Sequence, residues 1–387
     1  MKYPLASISW DQKEYKAAEL VFKEDFFTMG KYTQEFEKRY ADWAKVNFAV
    51  FCNSGSSANF LALAACLYDP RKDLKQGDEV IVPAVSWSTT YSPIIQLGLV
   101  PKLVDVKLED FNLDFKKIES SITSKTKAIF AVNLLGSSCN YDEIKKIISK
   151  YNLILLEDNC ESMGASFGSK KTGTFGSIST QSTFFSHHIS TMEGGICCTD
   201  DELLYEIMKS LRAHGWVRNV ENKNLFYKYF DRPENDLEEK FHFVLPGFTF
   251  RPTEVSAAIG IEQIKKIDNF LVNRRKNAAY FKERLENTKH PISLQKETGL
   301  SSWFGFGIIA NTEKDKKNII NKLIKNKIEV RPIVSGNMSR QPMFSYLKYE
   351  PSEFTNSEII HNNGFMIGNH HFDIKEMIDL FFSVLAE

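Results

Sequence analysis

Apolar positions in this chain gather in short runs, and amphipathic stretches separate the runs. Residues 32–44, with Phe36 and Tyr40 four apart, predict an amphipathic helix. Residues 48–52 form an apolar run that ends in Asn53, Ser54, Gly55, Ser56 and Ser57, and residues 58–67 predict the helix that follows. Further strands are predicted at 79–83, 99–106, 128–133, 153–158 and 196–199, with helices at 114–122 and 141–151. Short strand-like runs alternating with helices predict an α/β protein whose mostly parallel sheet lies between helices.

Beyond residue 220 the pattern changes. Residues 220–242 are polar and irregular, and predict a long surface loop. A helix is predicted from 254 to about 286, with Ile259, Ile261, Ile264, Ile267 and Leu271 near one face. It is long enough to join two domains. Strand-like runs at 304–309 and 328–333 then mix with helices, predicting a smaller α+β domain. The expected division is 1–253 and 254–387.

Length and composition narrow the class. A chain of 387 residues suggests two or three folding units. Hydrophobic residues at 43 % and charged residues at 25 % are the balance of a globular protein. Forty-nine basic residues equal 49 acidic ones, which argues against a nucleic-acid binder working by phosphate neutralisation. The six cysteines include no C-x-x-C pair, so reduced thiols in a cytoplasmic protein are expected. There is no signal-peptide pattern, and no apolar run of about 18 residues to cross a membrane.

Four stretches carry candidate chemistry. Asp158 ends the apolar strand 153–158, at the sheet edge where ligands bind in open α/β folds; it reads equally as a cap of the next helix. His187 and His188 lie between an aromatic run and Glu193-Gly194-Gly195; they read as a functional pair or as structural histidines, and no metal-ligand spacing accompanies them. The small residues 53–58 before a helix suit a phosphate cradle, or an ordinary capped turn. Trp87 follows the strand 79–83, placed to stack on a planar ring or to pack in the core. Together, a phosphate cup, an aromatic face and a carboxylate for a ring nitrogen are the needs of pyridoxal phosphate.

The sequence resembles the pyridoxal-phosphate sugar aminotransferases of the DegT/DnrJ type, nearly end to end. The matching pieces keep the family's order: residues 54–59, 157–161, Gly173-Thr174-Phe175-Gly176, Glu193-Gly194-Gly195 and Arg331-Pro332. One departure stands out. The family's cofactor-binding lysine lies six residues before the Glu of Glu-Gly-Gly, and here that position is His187. No lysine occurs between Lys171 and Lys209. That replacement marks the sugar 3-dehydratases of the family, and residues 3–7, 82–91, 186–189, 212–216 and 301–306 support the closer likeness.

The resemblance implies an aspartate-aminotransferase-like (type I) fold with a seven-stranded-type sheet and a smaller C-terminal domain. It implies pyridoxal phosphate cycling with pyridoxamine phosphate, L-glutamate as amino donor, and a GDP-linked 4-keto-6-deoxyhexose as substrate. By position, His187 is the expected base, since histidine suits proton transfer near neutrality. Asp158 is expected at the ring nitrogen, Trp87 on the ring face and Glu161 near the ring hydroxyl. Gly55, Ser56, Ser57 and Ser182 are expected at the phosphate. His214 and Arg331 are weaker candidates for substrate or glutamate contacts. Thr249 stands where the family commonly has an Asn that reaches the phosphate from a partner subunit, so a homodimer is implied. The loop 220–242 is left open between closing over the nucleotide and a solvated insertion.

Three rivals differ in what they need. A true aminotransferase needs the missing lysine. An iron–sulfur 3-dehydratase acting on a CDP-sugar needs clustered cysteines, and none occurs after Cys198. A non-catalytic binding module has no need of Asp158, Trp87 and the serine cup together.

Overall fold

The computed structural model describes residues 2–287, 289–347 and 349–386. Helices α1 (Gln12–Phe22) and α2 (Lys31–Ala44) precede the first strand, β1 (Phe48–Cys52), and α3 (Gly55–Tyr68) follows it. Next come β2 (Glu79–Pro83), α4 (Ser88–Gln96), β3 (Val100–Val104), α5 (Phe115–Ser121), β4 (Thr126–Val132), α6 (Tyr141–Tyr151) and β5 (Ile154–Asp158). A small hairpin, β6 (Ser166–Phe167) and β7 (Lys170–Lys171), leads to β8 (Ile178–Ser182), β9 (Gly195–Thr199) and α7 (Glu202–Arg212).

The large sheet has seven strands in the order β1-β9-β8-β5-β4-β2-β3. Only β9 runs against the rest, pairing antiparallel with both β1 and β8. The strand-helix alternation read from the sequence therefore gives the mostly parallel sheet it predicts. Because the other six strands run one way, the chain leaves β1, β2, β5 and β8 at the same edge. The mostly apolar α3 packs against β8, β9 and α7 and fills the core on one face.

Strand β8 was not legible as a strand, because its residues are polar. Its side chains are nevertheless buried and bonded: Ser179 Oγ donates to the Gly173 carbonyl at 2.7 Å, and Gln181 Oε1 accepts from Asn159 Nδ2 at 3.0 Å. Central position in the sheet, and not apolarity, makes this segment a strand.

The irregular stretch 220–242 contains two one-turn helices, α8 (Lys223–Phe226) and α9 (Asp236–Glu239), each capped by an asparagine. The helix expected over 254–286 is two helices, α10 (Glu254–Ile264) and α11 (Ile267–Glu286). They part at Lys265 and Lys266, where Lys266 turns to pair with Glu14 at 2.6 Å and Asp11 at 2.9 Å.

A second, antiparallel sheet holds β10 (Ile292–Leu294), β11 (Gly305–Ala310) and β12 (Gly364–Gly368). Helices α12 (Glu313–Lys325), α13 (Thr355–Asn363) and α14 (Lys375–Ala386) accompany it. Its core gathers Phe281, Trp303, Phe306, Phe365 and Phe381, and takes in Tyr3 from the far end of the chain. The run 328–333 is not a strand. It makes only isolated bridges, Ile328 to Tyr3 and Arg331 to Met366; Lys327 has positive φ, and Pro332 has no N–H to extend a ladder. Among the described residues no helix is long and apolar enough to cross a membrane.

Candidate active site

A cavity of about 860 Å³ opens at the edge where β1, β2, β5 and β8 end. Gly55, Ser56, Trp87 and Asp158 line it, as do Glu161, Ser182, His187 and Arg331. Residues from five separate chain segments thus converge on one space.

The floor comes from the β1–α3 turn. Ser54 caps α3, its side chain accepting from Ser57 N at 3.0 Å. The first N–H groups of a helix have no intrahelical partner. Gly55 and Ser56 bring theirs to the cavity, a ready anion site. Ser182, last residue of β8, faces them. A Cβ at Gly55 would lie 2.7 Å from Ser182 Cβ, so glycine is what leaves the cup open. A Cβ at Gly195 would lie 2.1 Å from the Ser54 carbonyl oxygen. The Glu-Gly-Gly motif thus lets β9 press against this turn. Ser57 does not line the cavity; its N–H and hydroxyl are taken up by Ser54.

Asp158 ends β5 and is 5 % exposed. Its Oδ2 accepts from Asn59 Nδ2 at 2.8 Å and from Thr90 Oγ1 at 2.7 Å, and its Oδ1 accepts from the Cys160 N–H at 3.2 Å. Among the described residues it has no ion-pair partner. A buried carboxylate lacking a cation is costly, and one whose oxygens face a cavity suits a cationic ligand group. Asn59 and Thr90 were missed as site residues. Their one signal is a polar side chain on the buried face of a mostly apolar helix (Asn59) and a buried threonine after Trp87.

His187 is half-buried, and its ring packs on Phe304 with centroids 5.1 Å apart. Its Nδ1 lies 2.8 Å from the Cys160 carbonyl oxygen. A carbonyl can only accept, so Nδ1 carries the proton and Nε2 keeps the lone pair. Burial pushes His187 down to about 4, which holds it neutral. The adjacent His188 is fully buried and bonds the Ser302 carbonyl, so it is the structural member of the pair. Glu161 accepts from Leu135 N–H at 3.1 Å, and burial pushes it up to about 7, with nearby Asp158 adding to the rise.

Trp87 caps the start of α4 and is 58 % exposed, so it stands at the cavity wall and not in the core. Arg331 is also exposed at the wall. His214 and Thr249 are not brought into this cavity. They lie together on the surface, with Thr249 Oγ1 and His214 Nδ1 3.2 Å apart. Among the described residues no group of three or more His, Cys, Asp or Glu side chains is placed to hold a metal.

The chain is 46 % identical over 390 residues, the whole of both chains, to GDP-4-keto-6-deoxy-D-mannose 3-dehydratase of Escherichia coli O55:H7. It is 46 % identical to the enzyme of the same name from Yersinia pseudotuberculosis, over 100 % of this chain and 99 % of that one. The solved structure of the E. coli dehydratase with bound hydrated PLP superposes with a TM-score of 0.94, at 46 % identity, covering 99 % of each chain. A further structure of a GDP-4-keto-6-deoxymannose 3-dehydratase, with a trapped PLP-glutamate geminal diamine, also gives 0.94 at 46 % identity, over 99 % of this chain and all of that one. The family model for DegT/DnrJ/EryC1/StrS aminotransferases matches residues 9–377, and the chain belongs to that family.

Proposed function

We propose that this chain is a pyridoxal-phosphate-dependent 3-dehydratase of a GDP-linked 4-keto-6-deoxyhexose, with GDP-4-keto-6-deoxy-D-mannose as substrate and L-glutamate as amino donor. The observation that carries the reading is His187. It lines the cavity next to Asp158, at the position of the family's lysine, with a free Nε2 lone pair. The full-length identity to two dehydratases of that substrate supports it.

The site fits the cofactor. The α3 N-terminus, Gly55, Ser56 and Ser182 would hold its phosphate; Asp158 would accept from its ring nitrogen; Trp87 would cover a ring face; and Glu161 would approach the ring hydroxyl. When bound, pyridoxal phosphate takes up the amino group of glutamate and supplies the electron sink for loss of the 3-hydroxyl. The chain's own part is orientation and one proton. His187 Nδ1 is anchored on Cys160, so Nε2 is presented in one orientation and accepts a proton in the cavity. Histidine cannot hold the cofactor covalently as lysine does, which favours elimination over amination. The net change balances as glutamate plus the 3-hydroxy sugar giving 2-oxoglutarate, ammonia and the 3-deoxy sugar. Glutamate supplies the two electrons.

A homodimer is part of the proposal. Phe22 and Phe26 near the N-terminus, and Leu237, Phe241 and Phe243 after α8, are more than half exposed, two sets of apolar side chains that suit cover by a second copy. Thr249 and His214, lying outside this chain's own cavity, are then available to a partner's. The division into 1–253 and 254–387 is also part of the proposal: the second sheet has a core of its own, from Ala278 to Val384, which supports it, although Tyr3 enters that core, Met338, Phe344 and Phe354 enter the core of the large sheet, and α10 packs on α1 and α2. Six unpaired cysteines are in keeping with a cytoplasmic enzyme.

The test is a mass spectrum of the nucleotide sugar after incubation with pyridoxal phosphate, glutamate and GDP-4-keto-6-deoxy-mannose. Loss of one oxygen, with 2-oxoglutarate and ammonia formed, is the expected result. A product with an amino group in place of the keto oxygen would mean aminotransfer. Unchanged sugar with glutamate consumed would redirect the search to other nucleotide sugars.

A further inference from the structure

Gln263 lies on α10 and is fully buried. All four of its hydrogen-bonding positions are used. Its Oε1 accepts from Ser9 Oγ at 2.6 Å and from Ser190 N–H at 3.0 Å. Its Nε2 donates to the Ser9 carbonyl at 3.1 Å and to Glu14 Oε1 at 2.8 Å. Ser190 is three residues beyond His187 in the connection from β8 to β9. Its carbonyl accepts from Trp10 Nε1 at 2.9 Å. Both backbone groups of Ser190 are thus held by the N-terminal segment and Gln263.

The same N-terminal segment also reaches the cavity. Leu5 and Ala6 line it, and Leu5 N–H donates to Glu329, another lining residue, at 2.9 Å. Ser7 Oγ bonds His370 Nδ1 at 2.8 Å. Glu14 is itself buried and pairs with Lys266. Residues 3–14 therefore run from the second sheet, along the cavity wall, to the loop that carries His187. A fully bonded buried amide fixes geometry more strictly than an apolar contact, because every displacement breaks a bond.

We propose that Gln263 is a positioning residue for His187, locking the His187–Ser190 loop to the N-terminal segment that walls the cavity. The inference rests on His187 being the base. Its consequence is that residues 5–14, remote in sequence, are part of the catalytic apparatus.

The test uses Gln263→Met, which keeps length and removes every bond, and Ser9→Ala, which removes one. Misplacement of a reacting group by a fraction of an ångström costs on the order of 10- to 100-fold in rate. Q263M is expected to lower kcat in that range while KM for the nucleotide sugar stays within about twofold. A second readout needs no substrate. In the H187K background, covalent attachment of pyridoxal phosphate gives a visible absorbance, and Q263M should slow its appearance about tenfold or more. A folded Q263M protein with wild-type kcat and attachment rate overturns the proposal. If Q263M does not fold, S9A decides: an unchanged kcat and attachment rate overturns it, and a drop of about threefold in either supports it. Absence of a deoxygenated product from the parent enzyme would instead count against the proposed function, since attachment to H187K still reports the loop's position.

Discussion

The His187 imidazole donates through Nδ1 to the carbonyl of Cys160, two residues past Asp158 on the same strand end. One turn of chain after β5 thus serves two groups. It offers the Asp158 carboxylate to the cavity and fixes the tautomer of the histidine opposite. Nε2 is left as the only basic position on that ring.

His187→Asn removes that position while keeping a comparable polar volume. Cofactor binding is expected to persist, because Asp158, Trp87 and the Gly55–Ser56 cup are untouched. Dehydration should fall by roughly 10²- to 10⁴-fold, the contribution of a positioned base. Absorbance titration with pyridoxal phosphate and mass analysis of the sugar separate the two effects. Full activity would remove His187 from the mechanism.

Asp158→Asn tests the carboxylate. The amide keeps the shape but removes the charge, and it puts an N–H₂ group among donors from Asn59, Thr90 and Cys160. The half-reaction with glutamate should slow by about 10²-fold or more. Stopped-flow absorbance with glutamate alone reads it, and an unaffected rate would show that Asp158 does not serve the ring.

Glu161 predicts a pH signature in the cofactor-free protein. Its carboxyl is raised from an ordinary 4.5 to about 7. The folded state therefore binds this proton more tightly than the unfolded chain, and stability from it is lost as pH rises through that window. In Glu161→Gln the loss disappears, so the Tm advantage of the variant should grow from about pH 5 to 7 and then level off. His187, His370 and His371, pushed down to about 4, act in the opposite direction: their contribution is lost as pH falls from about 6.5. Tm scans across this range check both signs, and a pH-independent difference between E161Q and the parent would sink the assignment.

Gly195→Ala probes the closest backbone approach in the site. The added methyl meets the Ser54 carbonyl oxygen, which cannot swing aside as a side chain would. Destabilisation of about 1–3 kcal/mol or more is expected, together with weaker cofactor binding, because the displaced residue opens the phosphate cup. Denaturant midpoints and a cofactor titration measure the two, and an unchanged midpoint would mean the turn has room that the geometry denies.

Much of this was open to reading in one dimension. Strands β1, β2, β4 and β5 are apolar because both faces of a parallel sheet are covered, so their runs are visible without a structure. Strand β8 is polar and was not visible, since Thr180 and Gln181 are satisfied by Asn59 and Asn159, 121 and 22 positions away. The continuous helix expected over 254–286 breaks at Lys265 and Lys266, where Lys266 turns to two carboxylates of α1, and no local pattern announces that.

The sequence by itself determined the class of the fold, the run of small residues before α3, Asp158 at a strand end, and His187 where a lysine would be expected. The first three are local features, carried by residue type and spacing, and the fourth is what the family resemblance implies. Only the tertiary structure decided which of them meet. It brought Ser182 over Gly55, gave Asp158 its donors from Asn59 and Thr90, set His187 on the Cys160 carbonyl, and left Ser57, His214 and Thr249 outside the cavity. It also tied Gln263 and the N-terminal segment to the histidine loop. The reason is that these hydrogen-bond partners lie 27 to 254 positions apart, and periodicity along a chain holds no record of them.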